Sequence, residues 1–239
     1  EMSARYGKSW GGYFWAVAEP AGGIGLLALV FSYALRNPPL GNSFMVFYAT
    51  GIIPFFMYGA VSTSVANAVQ GNRGLLVYPV VSALDTVLAR LVLETLNYVM
   101  VAVVLFPFLI YFDRAVVSFD AGNMVLAMTM AVSMGLGVGT VNCVVIGFFP
   151  TWRNIWAVLN RPLFIMSGVL FTYDMVPEPL RSFLWYNPLI HVIGQARTAF
   201  YGSYEGEYIS HAYLFGVAFS LFVVGAYLLR RHEGPLTER

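Results

Sequence analysis

Six apolar stretches, at about 20–35, 44–69, 87–112, 124–149, 156–173 and 212–229, dominate this chain of 239 residues. A helix needs about 20 mostly apolar residues, at about 1.5 Å each, to cross the roughly 30 Å hydrocarbon core of a bilayer. Charges, Pro, Gly or Asn interrupt every gap between the stretches. Charged residues make up only 10% of the chain, against about 25% in an ordinary soluble domain. That is too little to solvate a globule of this size. The pattern predicts an all-α integral membrane protein of six spans in a single domain, with no internal repeat and no linker to divide it.

Net charge is +1, which leaves no basic surface for nucleic acid. The placement of charge says more. Arg5, Lys8, Arg73, Arg90, Arg153, Arg161, Arg230, Arg231 and Arg239 fall on one side of the six spans. Arg36, Arg114, Arg181 and Arg197 fall on the other, beside Asp113, Asp120, Asp174, Glu178, Glu205 and Glu207. The positive-inside rule makes the first side cytoplasmic, so both termini are expected there. The first residues lack the apolar core and cleavage site of a signal peptide, and the natural N-terminus is expected to lie upstream of Glu1. Cys143, the single cysteine, sits in an apolar run as a packing residue.

Three segments outside the spans carry further information. At residues 1–18, Tyr6, Trp10, Tyr13, Phe14 and Val17 recur at helical spacing while Arg5, Lys8 and Ser9 lie off that stripe. This reads as a helix lying in the membrane interface, either a plain anchor or part of a substrate entrance, which Glu19-Pro20 breaks from the first span. The loop at 70–79, QGNRGLLVYP, brackets a short apolar patch with polar residues. Such a patch is a docking surface for a partner or a connector folded onto lipid headgroups. In the segment 174–210, Pro177-Glu178-Pro179 and Asn187-Pro188 divide two apolar pieces too short to span. They are re-entrant at the mouth of a pathway, or a cap on the outer leaflet.

Familiar chemistry is missing. No GxxxxGK[ST] phosphate loop occurs, since Met2 stands where the first glycine should precede Gly7-Lys8-Ser9. His191, His211 and His232 are dispersed and no HExxH is present, so neither a metal site nor an enzyme is expected. Glu94 lies four residues after Arg90 and reads as an ion pair rather than a proton relay. Aromatic faces suit sugar C–H groups, and Trp15, Tyr48, Tyr58, Tyr98 and Tyr111 are the candidates for a pathway. Most other aromatics belong to the interfacial belt.

The order of parts resembles the type-2 ABC exporters. Within them, ARYGKSWGGYFWAVAEP at 4–20 and NPLIHVIGQARTAFYGSY at 187–204 resemble segments of the capsular polysaccharide and O-antigen export permeases. The Glu19-Pro20 pair and the Tyr204-Glu205 ending lean toward the capsule branch. The resemblance covers nearly the whole chain. It implies a multi-pass subunit of the bacterial inner membrane that exports a lipid-linked polysaccharide as a homodimer. It also implies separate ATPase subunits that carry the ATP and Mg, so no cofactor is expected in this chain. Periplasmic and outer-membrane export proteins are further implied partners. By the same resemblance, Asn72, Arg73, Gly74, Leu75, Leu76 and Tyr78 form the coupling loop. Trp10, Tyr13, Trp15 and Glu19 lie at the substrate entrance, and Trp185, Tyr186, His191, Arg197 and Tyr201 form an extracytoplasmic gate. The alternatives are a type-2 exporter of O-antigen, drug or lipid, and an intramembrane acyltransferase using His191.

Overall fold

A computed structural model describes residues 11–76, 78 and 80–232, with backbone alone at 11–13 and 73. Among the described residues every regular element is helical. The α-helices are α1 (Gly11–Ala34), α2 (Phe44–Ala66), α3 (Ala68–Gly71), α4 (Arg73–Leu76), α5 (Ala83–Phe112), α6 (Ala121–Phe148), α7 (Trp152–Met166), α8 (Leu180–Trp185), α9 (Pro188–Thr198) and α10 (His211–Arg231). Five of them, α1, α2, α5, α6 and α10, are long and apolar enough to cross a membrane. Polar caps mark where several of these runs begin. The hydroxyls of Ser43 and Ser210 accept amides of α2 and α10, Ser82 and Asp85 form a capping box on α5, and Asp120 accepts two amides of α6.

Helix α6 is the centre of the bundle, and three glycines put it there. A Cβ on Gly139 would lie 2.8 Å from Ser62 O and from Val65 Cβ of α2, and one on Gly135 2.9 Å from Val61. On the other flank, a Cβ on Gly137 would lie 2.5 Å from Ala218 O of α10, while Gly225 of α10 meets the backbone of Thr140 and Val141. Without a hydrophobic driving force between helices in lipid, such close backbone approach is what holds them together.

Two ends can be told apart by their contacts. At the loop end, Arg153 donates to Gln70 Oε1 at 2.6 Å and the Phe148 ring meets His232. At the other end, called the hairpin end after the pair of short helices α8 and α9 that turn back at Tyr186-Asn187, Ser43 hydrogen-bonds Asp113, Val116 N donates to Asn42 Oδ1, and the amides of Ser118 and Asp120 reach the carbonyls of Phe200 and Ala199.

Two expectations need correction. Glu19-Pro20 does not break the chain: α1 runs through Pro20 for 24 residues. A proline removes one helical hydrogen bond, here to Ala16, and membrane helices tolerate that loss. The expected span at 156–173 is not one helix either. With 15 residues, α7 reaches about 22 Å, short of the hydrocarbon core. It ends at Ser167-Gly168, where Gly168 takes a left-handed φ of 82°, and residues 169–172 continue without regular structure. α7 climbs alongside the bundle. Trp152 Nε1 donates to Asn142 Oδ1 near the end of α6, Phe164 meets the ring of Phe55 in mid-α2 at 5.1 Å, and Val169 packs on Gly51.

Candidate functional site

Residues 172–210 close the hairpin end. Asn187 caps α9 through Leu189 N, and Pro188 occupies the first helical turn. Every residue of α9 from Leu189 to Arg197 is buried, against α2 and α6. This element therefore sits inside the bundle.

Arg197 explains why irregular backbone can exist here. Its side chain is 1% exposed. Nη1 donates to Phe171 O at 2.7 Å, Nη2 to Val169 O at 3.2 Å, and the guanidinium lies 4.4 Å from the Phe47 ring centroid. Asn187 Nδ2 adds a bond to Met166 O at 3.0 Å, at the end of α7. Buried carbonyls that no helix satisfies need donors, and the hairpin supplies them to residues 166–171. Burial pushes the Tyr204 and Tyr208 hydroxyls up, so both stay neutral phenols near this cation.

Trp185 and His191 meet in an aromatic cluster. Trp185 stacks on Tyr213 at 5.0 Å, meets His191 edge-on at 5.3 Å and donates Nε1–H to Tyr208 O. His191 is fully buried with both ring nitrogens engaged. Ser210 N donates to Nδ1 at 3.2 Å, so Nε2 carries the proton and donates to Trp185 O at 2.9 Å. An imidazole so occupied has no free nitrogen for general-base chemistry. Tyr186 is exposed, its carbonyl accepting from Tyr213 Oη at 2.7 Å. Tyr201 is buried beneath Gly41, where a Cβ would lie 2.5 Å from its ring and the φ of 70° independently favours glycine.

Burial lowers the His191 pKa from its ordinary 6.5, and the nearby His211 lowers it further. Because the folded state binds this proton less readily than the unfolded state, the associated stability is complete above pH 6.5 and is lost as pH falls below it. The thermal midpoint of the detergent-solubilised protein is expected to drop between pH 7.5 and pH 5.5. His191→Gln should flatten that drop; an identical drop in both proteins would assign it to other groups.

Gln195, Tyr208 and Tyr213 were not anticipated as members of this site. Gln195 and Tyr208 fall within the segment 174–210, and Tyr213 lies beyond it. His211 Nε2 donates to Gln195 Oε1 at 2.8 Å, Gln195 Nε2 to Asn123 Oδ1 at 2.9 Å, and Asn123 Nδ2 to Asp120 Oδ2 at 3.0 Å. This string ties α10, α9 and α6 together along the wall of a polar cavity of about 410 Å3 that Thr198, Tyr204 and Glu205 also line.

At the loop end, α3 and α4 form two short turns. Asn72 is buried and donates to Ala68 O at 2.8 Å, which fixes the turn between them. Beyond it Gly74, Leu75 and Tyr78 are exposed and Leu76 is half-buried, while Arg73 contributes described backbone only. Trp10 lies outside the described residues, and Tyr13 falls in the first turn of α1. Trp15 and Glu19 are exposed on α1. Of the tyrosines within the long helices, Tyr111 is exposed and Tyr98 half-buried. Tyr48 and Tyr58 are buried in the core and have no free face in this chain to offer a substrate.

The family model for ABC-2 type transporters matches residues 1–201. The polysialic acid transport protein KpsM of Escherichia coli is 33% identical to this chain, covering 99% of it and 92% of that protein. The capsule polysaccharide export inner-membrane protein CtrC of Neisseria meningitidis serogroup A is 24% identical, covering 97% of this chain and 87% of its own. The O-antigen export system permease protein RfbA of Klebsiella pneumoniae is also 24% identical, covering 94% and 86%. An all-helical chain with five membrane-length helices, matched by this family model over most of its length, belongs to the ABC-2 type transporter family.

Proposed function

We propose that this chain is the membrane-spanning permease of an ATP-driven exporter that carries capsular polysaccharide across the bacterial inner membrane. The observation that carries this reading is the end-to-end likeness, at 33% identity, to a transport protein named for polysialic acid. The O-antigen permease is a more distant relative at 24%, which favours capsule over O-antigen. Two copies would enclose one path for a lipid-linked glycan, with ATPase subunits carrying ATP and Mg beneath them.

In this arrangement α7 and residues 167–172 make a sixth crossing, and both termini are cytoplasmic, since the six-span reading of the sequence assigns nine of the 13 basic residues to that side. The exposed Leu75 and Tyr78, on a turn anchored by Asn72 and Gln70, suit docking to the ATPase. Residues 174–210, with Trp185, Tyr186, His191, Arg197 and Tyr201, are the re-entrant gate and its supports. Trp10, Tyr13, Trp15 and Glu19 flank the entry, and Tyr98 and Tyr111 border the path. Periplasmic and outer-membrane export proteins would receive the polymer beyond the gate.

The test begins with the tagged chain purified from its native membrane in mild detergent, where a stoichiometric ATP-hydrolysing subunit is expected to accompany it. Deleting the chain should leave polysaccharide inside the cell; unchanged surface polysaccharide would end the export reading. Leu75→Glu combined with Tyr78→Ser should lower recovery of the ATPase by about tenfold, a loss of about 1.4 kcal/mol in docking. The thermal midpoint should stay put, since both side chains are exposed. Full recovery of the ATPase would move the docking surface elsewhere.

A further inference from the structure

Charged side chains are scarce at mid-depth in this bundle, and Arg161 is exposed there. It precedes by one turn Phe164, whose ring meets Phe55 at the middle of α2. That sets Arg161 level with Tyr58, about 12 Å along α2 from Ala66 and about 21 Å from Phe44. Helix α7 is half-buried toward the bundle through Trp152, Trp156, Asn160, Leu163 and Phe164. Its exposed surface divides into an arc with Arg153, Asn154, Ala157 and Arg161 at helical spacing and an apolar arc with Ile155, Val158, Leu159, Pro162 and Ile165. No acidic residue occurs in α7, and among the described residues no carboxylate pairs with Arg161.

An arginine at this depth is costly against lipid tails, and such residues face a bundle interior or water. The bundle already occupies the opposite face of α7. We propose that the arc of α7 holding Arg153, Asn154, Ala157 and Arg161 lines the aqueous conduit, with the apolar arc left to lipid, and that Arg161 reads charge there, holding the anionic groups of an acidic glycan as they pass. This rests on the glycan-export reading above. Two cations and no anion in that arc complement a polymer of repeated negative charge. A lone guanidinium beside the small Ala157 gives a hold weak enough to release, as conduction requires. Arg153 is drawn toward the loop end by Gln70, which leaves Arg161 as the deeper of the two contacts.

Arg161→Lys, Arg161→Gln and Arg161→Glu would replace the parent chain in a deletion strain that makes an acidic capsule, at matched membrane levels and matched ATPase recovery. Arg161→Lys is expected to keep at least half of the surface polymer, Arg161→Gln to lose at least fivefold, and Arg161→Glu to abolish export. Arg161→Cys, in a Cys143→Ala background, is expected to react with a charged, membrane-impermeant thiosulfonate in the assembled complex. Parental export by Arg161→Gln, or refusal of that reagent by Arg161→Cys, would overturn the proposal. If the deletion itself leaves export intact, the export reading falls with it. If the deletion stops export and Arg161→Gln does not reduce it, the role of Arg161 alone falls.

Discussion

Arg197→Met should lower the stability of the solubilised protein by about 3 kcal/mol. The substitution strips donors from the carbonyls of Val169 and Phe171, and a buried acceptor left without a partner costs about 1–3 kcal/mol. Loss of the guanidinium contact with Phe47 adds about 1–2 kcal/mol. Relief of the cation's own desolvation works the other way and keeps the net figure from growing larger. For a chain of this length the thermal midpoint should fall by about 6–12 °C. Arg197→Lys should recover only part of this, because a point-like ammonium lacks the planar fork that spans two carbonyls. A midpoint within about 2 °C of the parent for Arg197→Met would mean that residues 169–171 are held by something else.

The other large effect lies at the centre of the bundle. Gly137→Val is expected to cost about 3 kcal/mol or more and to cut the yield of folded protein. Its Cβ would lie 2.5 Å from the carbonyl oxygen of Ala218, so α6 and α10 must separate along their contact. Overpacking usually costs about 1–3 kcal/mol, and a backbone neighbour that cannot rotate away puts this site at the upper end. Ala218→Gly should not rescue the variant, because the clash is with the main chain. Rescue would place the strain in the side chains instead. Yield and monodispersity by fluorescence-detected size exclusion, with the thermal midpoint, decide the matter.

Much of the architecture is legible in the apolar runs, because a helix in lipid must satisfy its own backbone and therefore shows itself as one long stretch. The runs at 44–69, 87–112, 124–149 and 212–229 coincide with α2, α5, α6 and α10 to within a few residues. The run at 156–173 misleads because hydropathy does not distinguish helix from irregular chain. Ser167-Gly168 was the available stop signal, a glycine where a helix ends. Pro20 misleads in the opposite sense, as a soluble-protein breaker read into a membrane helix. The glycines at 135, 137 and 139 carried a packing signal that apolar counting passes over.

At the hairpin, Trp185, His191 and Arg197 were identifiable as residue types in the right segment, but their work was not. Arg197 acts on carbonyls 26 and 28 residues upstream, and nothing in its local sequence points to them. His191 was a candidate base by identity alone. Its two hydrogen bonds make it a fastener between α8, α9 and the start of α10.

The reliance of residues 166–171 on donors from Asn187 and Arg197 fixes an order of biogenesis. While the ribosome has reached only the end of α7, a helix of 15 residues stands beside α6 with the carbonyls beyond it unanswered. Those groups find their partners only once residue 197 has left the ribosomal tunnel and α9 has entered the bundle. A nascent chain halted before α9 thus holds α7 in an unfinished state open to membrane quality control, and the hairpin completes the insertion of the segment before it.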